Sequence, residues 1–207
     1  YINMNDTRIP KIIHYIWLGT RPLDKVSQKC MNTWGKYLPD YEVKRWGDDE
    51  CRDIINSNLY ARQAYEAKKY AFVSDYLRVY ILYNYGGVYM DTDVQMFKSI
   101  DRFLIHGAFT CFENKTQIPT ALMASAKGNQ WMKALLDYYD DKSFIDADGH
   151  MDITTNVDAI TNVSLGMGFV PNAQIQVFSD DVHIYTKDYF CPIDTKNKAN
   201  DIFTENT

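Results

Sequence analysis

Short apolar runs alternate with longer segments of helical periodicity along the chain. The stretch "KIIHYIWLG" (residues 11–19) is rich in β-branched and aromatic residues and lies between a proline and a glycine turn, which is typical of a buried strand. Residues 25–36 repeat apolar positions at helical spacing, and residues 39–47 alternate as a second strand. The same patterns predict further strands at 108–112, 121–125 and 175–185, and further helices at 48–58, 130–139 and 156–161.

The longest helical pattern covers residues 60–85 and is followed at once by two glycines. Gly86 and Gly87 are expected to end this helix, because glycine accepts the left-handed backbone found at helix C-termini. The next residues, Val88–Asp91, are too few for a helix and apolar enough for a central strand that is covered on both faces. Strands that alternate with helices predict an α/β layered fold.

Two aspartates stand where that central strand ends. Ligand sites in open α/β sheets lie outside the carboxyl ends of the strands, so Asp91 and Asp93 occupy a candidate site. Carboxylates two positions apart in an extended segment can point the same way and share one hard cation. The alternative is a solvated acidic turn, which an isolated D-x-D pair would not exclude.

A second polar group lies on the long helix that precedes the strand. Ser74, Asp75 and Arg78 belong to "SDYLR", and Asp75 and Arg78 share a helical face because they are three positions apart. An ordinary surface ion pair would explain the spacing. The almost entirely apolar flanking residues instead predict a helix buried on most sides, where a charged pair needs a further reason.

Composition narrows the class of protein. The chain has 207 residues, 46% of them hydrophobic and 24% charged, which is typical of a soluble globular protein. Its length predicts a single domain over residues 1–207, or at most two small ones. The net charge of −5 argues against a nucleic-acid partner. No apolar run approaches the roughly 18 residues that a membrane-spanning helix needs.

Three segments together carry a family resemblance. "IPKIIHYIWLG" (9–19), "SDYLRVYILYNYGGVYMDTDV" (74–94) and "YFCPI" (189–193) resemble, in order and separation, the glycosyltransferases with a DXD sugar-binding region. That family includes capsular-polysaccharide transferases and fungal Golgi mannosyltransferases, and its core is shared by large glucosylating toxins. The resemblance implies a GT-A fold, a Rossmann-like nucleotide-sugar-binding domain with a mixed, mostly parallel sheet flanked by helices.

The same resemblance implies roles for the candidate residues. Asp93 would bind Mn²⁺ or Mg²⁺ directly, and Asp91 would hold the ribose or donor sugar and reach the metal. Asp75 and Arg78 would contact and orient the donor sugar. The residues expected to bind the donor are Ile16, whose backbone would read the base edge, Trp17, which would stack on the base, Ser74, Asp75, Arg78, Tyr89 and Asp91.

The function implied is metal-dependent transfer of a hexose, with retention of configuration, from a nucleotide-diphosphate sugar. A UDP-sugar is the expected donor and GDP-mannose the second choice. The acceptor would be a saccharide or lipid-linked chain in surface or capsular polysaccharide synthesis. The protein is accordingly expected in the cytoplasm, with peripheral association at the inner face of a membrane.

The sequence also departs from the family. Members generally continue into a His-containing segment with a nearby Ser-Trp, and the printed sequence, which ends at Thr207, does not include one. The domain is therefore expected either to be truncated at its C-terminus or to lack the segment. A sugar-nucleotide hydrolase and a non-catalytic sugar- or nucleotide-binding domain remain the alternative functions. His14 and His183 are interpreted as structural residues beside strands.

Overall fold

The computed structural model describes residues 7–207, so the first six residues of the predicted domain lie outside the described range. The strands are β1 (Ile12–Ile16), β2 (Glu42–Trp46), β3 (Gly87–Met90), β4 (Ala108–Cys111), β5 (Leu122–Ser125), β6 (Gln176–Phe178) and β7 (Val182–Tyr185). The α-helices are α1 (Lys25–Tyr37), α2 (Asp48–Asn56), α3 (Leu59–Glu66), α4 (Tyr70–Tyr85), α5 (Gln130–Asp137), α6 (Asn156–Leu165) and α7 (Lys187–Phe190).

All seven strands of the described chain form one sheet in the order β2-β1-β3-β5-β4-β7-β6. β1 pairs in parallel with β2 and β3, and β4 pairs in parallel with β7. β5 runs antiparallel to both β3 and β4, and β6 runs antiparallel to β7. Only β5 and β6 therefore oppose the common direction, which confirms the predicted mixed, mostly parallel sheet with flanking helices.

Hydrophobic cores cover both faces of the sheet. Along β3, Val88 and Met90 pack into the core that contains Trp34 of α1, whereas Tyr89 packs into the core that contains Leu77 of α4. This alternation explains why β3 is buried at every position and reads as a continuous apolar run. No helix among the described residues is long and apolar enough to span a bilayer.

The single helix predicted over residues 60–85 is wrong, because the structure contains two helices there. α3 ends at Glu66 and α4 begins at Tyr70. Lys68 lies between them with φ +57°, and the amide of Lys69 donates to the carbonyl of Ala64 at 2.8 Å. Glycine usually takes the left-handed position in such a stop, and since a lysine does so here the sequence carries no stop signal.

The strand predicted over residues 175–185 is likewise two strands. β6 and β7 form an antiparallel hairpin, and its turn contains Asp180 and Asp181 with φ +54° and +56°. Residues with positive φ are typical of tight hairpin turns. Aspartate tolerates this conformation better than most residues, but its signal is weaker than that of Asn-Gly.

The glycine pair after α4 is required by close packing. Gly86 and Gly87 have φ values of +68° and +120°, and the helix ends before them as predicted. A Cβ atom on Gly87 would lie 2.7 Å from the carbonyl oxygen of Ile12 and 2.9 Å from Nε2 of His14. His14 itself is buried, donates from Nε2 to the carbonyl of Gly86 (2.8 Å) and accepts at Nδ1 from Trp46 (3.0 Å), which confirms its structural role.

We expect Gly87→Ala to lower the free energy of unfolding by at least ~1–2 kcal/mol, because the new Cβ adds a steric clash to a strained φ. Gly35→Ala is the matched control: Gly35 lies in α1, and no atom comes within 4 Å of its added Cβ. The control should gain roughly 0.5–1 kcal/mol from helix propensity. Urea unfolding checks both, and equal effects of the two substitutions would contradict the packing described.

Candidate active site

A cleft of about 350 Å³ opens where β1 and β3 end. Ten residues line it, and six of them are predicted site residues: Ile16, Trp17, Ser74, Tyr89, Asp91 and Asp93. The other four are Asp24, Val26, Ser27 and Thr92. The remaining predicted residues, Asp75 and Arg78, are not part of the lining, and both side chains are largely buried. The topology thus brings together residues that are distant in the chain, since Ile16 and Asp93 are 77 positions apart.

The D-x-D segment forms a turn, not the extended segment expected from the sequence. β3 stops at Met90, the amide of Asp91 donates to the carbonyl of Ala121 (2.8 Å), and the amide of Val94 donates to the carbonyl of Asp91 (3.0 Å). The turn forms because strand pairing with β5 ends at Met90 and Leu122. Both aspartates nevertheless border the same cleft.

Asp91 is held from behind by two side chains. The hydroxyl of Tyr89 donates to its Oδ1 at 2.7 Å, and Nη1 of Arg78 lies 3.5 Å from the same oxygen. The guanidinium of Arg78 also lies 4.4 Å from the centre of the Tyr89 ring. Burial by itself would lower the pKa of Arg78, but the neighbouring Tyr89 and Asp91 raise it above its ordinary value. One oxygen of Asp91 is therefore engaged by a permanent cation and a hydroxyl.

Arg78 is buried, and all three nitrogens of its guanidinium donate hydrogen bonds to groups of the protein. Nη1 donates to the carbonyl and to the hydroxyl of Thr120 at 2.8 and 3.1 Å. Nη2 donates to the hydroxyl of Ser74 at 2.9 Å, and Nε donates to the Ser74 carbonyl at 3.2 Å. A guanidinium supplies five N–H donors in fixed directions, so this arrangement fits arginine and not lysine.

Asp75 lies on the far side of the same guanidinium. Its Oδ1 is 3.4 Å from Nη2 of Arg78 and accepts a hydrogen bond from Nδ2 of Asn156 at 3.1 Å. Burial raises the pKa of Asp75 to about 6, and Asp91 adds to the rise while Arg78 opposes it. Oδ1 of Asn156 is buried without a hydrogen-bond partner among the described residues.

Asp93 differs from Asp91 in its exposure, since Asp93 is exposed whereas Asp91 is half-buried. Partial burial raises the pKa of its carboxyl, and the nearby charge of Asp91 raises it further. Two carboxylates that repel each other are stabilised by a divalent cation between them. Oxygen-only donors of this kind fit Mg²⁺ or Mn²⁺, which bind one or two carboxylates and complete their coordination with water and phosphate oxygens.

Trp17 lies at the rim of the cleft directly after β1. Its amide donates to the carbonyl of Trp46 (3.0 Å), which continues the pairing of β1 with β2. Its indole Nε1 donates to the carbonyl of Arg21 at 2.6 Å, so the ring orientation is fixed while the ring remains partly exposed. Ile16, which precedes it, is buried and places its backbone at the same edge.

Sequence reasoning missed the contribution of α1 to the cleft. Asp24 caps this helix by accepting from the amide of Ser27 at 2.7 Å. The hydroxyl of Ser27 shares a hydrogen bond with that of Thr92 at 2.8 Å, which ties the D-x-D turn to the helix. An aspartate just before a helical pattern is a recognisable cap signal. The contact between Ser27 and Thr92 joins distant segments and leaves no local pattern.

Comparison with known families agrees with this site. Residues 24–110 match the family described as "Glycosyltransferase sugar-binding region containing DXD motif", so the predicted resemblance is confirmed over this part of the chain. The matched range begins at the α1 cap and contains the D-x-D turn. The predicted class of enzyme, a glycosyltransferase, is the class that this family description and the names of the relatives give.

Two relatives illustrate the range of the family. The chain is 30% identical over 129 residues to "Inositol phosphoceramide mannosyltransferase 3" of Schizosaccharomyces pombe, which covers 60% of this chain and 35% of the relative. It is 24% identical over 200 residues to "Uncharacterized glycosyltransferase L373" of Acanthamoeba polyphaga mimivirus, which covers 95% of this chain and 78% of the relative. The chain spans about a third of the length of the fungal inositol phosphoceramide mannosyltransferases that it matches.

A solved structure confirms the fold. "PaToxG Glycosyltransferase" superposes with a TM-score of 0.59 at 21% sequence identity, covering 76% of this chain and 68% of that chain. The fold is therefore the predicted GT-A type.

We expect Arg78→Lys to lower the free energy of unfolding by roughly 2–4 kcal/mol, because lysine leaves buried acceptors without donors while keeping the charge. Arg52→Lys is the matched control, since Arg52 forms only an exposed ion pair with Asp49, and exposed pairs contribute little. Chemical denaturation measures both. If Arg78→Lys were as stable as the control, the guanidinium would not have the organising role described.

Proposed function

We propose that this protein is a metal-dependent glycosyltransferase that takes a hexose from a nucleoside-diphosphate sugar bound in the cleft. The observation that carries the proposal is the division of roles between the two aspartates. Asp91 is held by Tyr89 and Arg78, whereas Asp93 is exposed in the same cleft with a raised pKa. The site thus presents one fixed carboxylate and one available carboxylate at the carboxyl end of a central strand.

In this proposal each cleft residue binds a different part of the donor. The partly exposed ring of Trp17 stacks on the base, and the backbone of Ile16 contacts the base edge. Asp91 keeps Oδ1 on Tyr89 and uses its other oxygen to accept from a hydroxyl of the ribose or sugar. Asp93 is the direct ligand of Mn²⁺ or Mg²⁺. A divalent cation at this position would supply Lewis-acid stabilisation of the negative charge that develops on the leaving diphosphate.

Asp75 and Arg78 are proposed to act mainly as positioning residues. Arg78 donates its hydrogen bonds to Thr120 and Ser74, and its Nη1 lies 3.5 Å from Oδ1 of Asp91, where it orients that carboxylate. Asp75 compensates the same buried cation. This differs from direct contact with the donor sugar, which the resemblance implied, and the two roles predict different effects on the stability of the free protein. Retention of the anomeric configuration is part of the proposal.

A second cavity offers room for the acceptor. It has a volume of about 790 Å³, borders Asp93, and is lined by apolar side chains that include Phe97, Phe103, Phe190 and Ile193. An acceptor in this cavity would meet the donor sugar at the carboxylates. The apolar walls favour an acceptor with an apolar portion over a purely polar saccharide.

The names of the relatives inform the choice of donor and acceptor. A fungal relative is named as a mannosyltransferase acting on inositol phosphoceramide, which is a lipid. That name supports GDP-mannose as a donor beside the UDP-sugar expected from the sequence, and it supports a lipid-linked acceptor. Three expectations from the sequence stay predictions. They are a role in surface or capsular polysaccharide synthesis, one catalytic domain over residues 1–207, and a cytoplasmic location at the inner face of a membrane.

Two alternatives make different kinetic predictions. A sugar-nucleotide hydrolase would release free sugar at the same rate with or without an acceptor. A non-catalytic binding domain would bind donor and release no nucleoside diphosphate. Nucleoside diphosphate release that rises when a glycolipid acceptor is added would support the transferase over both.

The proposal predicts metal-dependent nucleotide binding that Asp93→Ala abolishes. Thermal unfolding is measured with UDP, GDP, CDP or ADP, each with and without Mn²⁺. A ligand at about a hundred times its Kd stabilises the folded state by ~2.7 kcal/mol. For a chain of this size that corresponds to a shift of roughly 5–11 °C. We expect such a shift for one nucleotide, only with Mn²⁺, and no shift in Asp93→Ala.

Asp141→Ala is the control, because Asp141 is exposed and lies far along the chain from the cleft residues. It should keep the full nucleotide shift. Ligand-free Asp93→Ala should unfold at nearly the same temperature as the unsubstituted protein, since Asp93 is exposed and serves the ligand. A marked loss of stability without ligand would instead make Asp93 a structural residue, and a full Mn²⁺-dependent shift in Asp93→Ala would refute the assignment.

A further inference from the structure

Two histidines and an aspartate converge at a point that the proposed transferase chemistry does not use. His106 lies two residues before β4, Asp181 lies in the β6–β7 turn, and His183 lies on β7. Each offers one atom that can ligate a metal, and these three atoms all lie within 4.8 Å of one another. Because β4 and β7 are parallel neighbours, with Ala108 opposite Val182, the sheet itself brings the group together.

The cluster lies at the edge of the sheet opposite the cleft. Gly87 at the start of β3 and Ala108 at the start of β4 both pair with Ser125 of β5, so the two strands begin at the same level. His106 is therefore near the starting edge, whereas Asp91 follows the far end of β3. A four-residue strand rises roughly 13 Å, so the two sites are separate.

The carboxylate of the cluster is held in a fixed orientation. Oδ2 of Asp181 accepts from the amide of Gly107 (3.0 Å) and from Arg8 (3.0 Å). Its Oδ1 is directed at His183, whose Nε2 donates to it at 2.7 Å. Outer hydrogen bonds of this kind orient metal ligands in proteins. One carboxylate oxygen is thus supported from behind, and the other is directed toward the two imidazoles.

The two imidazoles are already together. The rings of His106 and His183 stack with centroids 3.4 Å apart and an interplanar angle of 13°. Nε2 of His106 shares a hydrogen bond with the hydroxyl of Tyr185 at 2.6 Å, which limits its rotation. Both histidines are partly buried, while Asp181 is exposed, so the cluster is open to solvent on the carboxylate side.

We propose that His106, Asp181 and His183 form a binding site for a borderline transition-metal cation of the Zn²⁺ type. Imidazole nitrogens select Zn²⁺, Ni²⁺ or Cu²⁺, whereas oxygen-only sites suit Mg²⁺ and Mn²⁺. This site and the cleft therefore differ in the cations they take. Three protein ligands leave the fourth tetrahedral position to a water on the exposed side. His183 would then be a ligand in addition to the structural residue beside a strand that the sequence predicts.

Occupation would join the turn before β4 to the β6–β7 turn. Zn²⁺ holds nitrogen and oxygen ligands at about 2.0–2.2 Å, so the ligand atoms draw inward and the ring stack opens as the ion enters. A bound ion stabilises the folded form because the unfolded chain does not hold the three ligands together. The inference is independent of the transferase proposal, since it uses none of the cleft residues.

The test uses full-length protein carrying Asp93→Ala and His150→Gln. The first substitution removes the exposed carboxylate of the cleft, and the second removes the histidine from the exposed group Asp146, Asp148 and His150. Titration with Co²⁺ should produce the visible absorption of a low-coordinate site at one equivalent. Zn²⁺ should displace the Co²⁺, and Mg²⁺ should not.

In the same background, His106→Gln and His183→Gln should each weaken Zn²⁺ affinity at least about tenfold, the lower end of what even outer-sphere substitutions cause. Circular dichroism verifies that each variant is folded. If either variant is unfolded, pulsed electron paramagnetic resonance of Cu²⁺ bound to the parent protein counts the coordinated imidazoles, and two are expected. Absence of stoichiometric Co²⁺ binding, affinity unchanged in folded variants, or fewer than two coordinated imidazoles would overturn the proposal.

Discussion

The buried guanidinium of Arg78 is the interaction on which the rest of the site depends. It bonds Thr120 and Ser74, and it lies between Asp75 and Asp91, so one side chain connects α4, the segment before β5 and the D-x-D turn. A buried cation without partners would be costly, and each of these groups contributes to compensating it. The orientation of the Asp91 carboxylate is consequently set by the folded core before a ligand binds.

This constraint accounts for the asymmetry of the two aspartates. Tyr89 and Arg78 hold Asp91 in place from the core, whereas Asp93, two positions later, is exposed. The hydrogen bond between Thr92 and Ser27 fixes the turn from the other side. The site is thus organised by the helices on both faces of the sheet, and the exposed carboxylate is left for a ligand.

Local signals in the sequence were sufficient to predict much of the secondary structure. The Gly86–Gly87 pair predicted the end of α4 correctly because the left-handed backbone there is one that only glycine adopts easily. The stops at Lys68 and at Asp180 and Asp181 were missed because ordinary residues take left-handed conformations there. Around Asp180 and Asp181, hydrogen bonds from the distant side chains of Asn129 and Arg8 contribute to the turn. Local propensity does not encode that context.

The site shows the same division. The D-x-D pair and the helical SDYLR segment were recognisable from spacing, and the cleft includes six of the predicted residues. Two contacts join segments that are far apart in the chain: Arg78 with Thr120, and Ser27 with Thr92. No local sequence pattern predicts such contacts. That Arg78 is enclosed, and not open to the cleft, followed only from the packing of α4 against β3 and β5.

The most direct test of this account is a crystal structure with Mn²⁺ and the nucleoside diphosphate that stabilises the protein most. Anomalous scattering locates the manganese independently of the ligand. We expect manganese bound directly by Asp93, with Arg78 still bonded to Thr120 and Tyr89 still donating to Asp91. Manganese bound elsewhere, or bound to Asp91 with Arg78 displaced from Thr120, would contradict it.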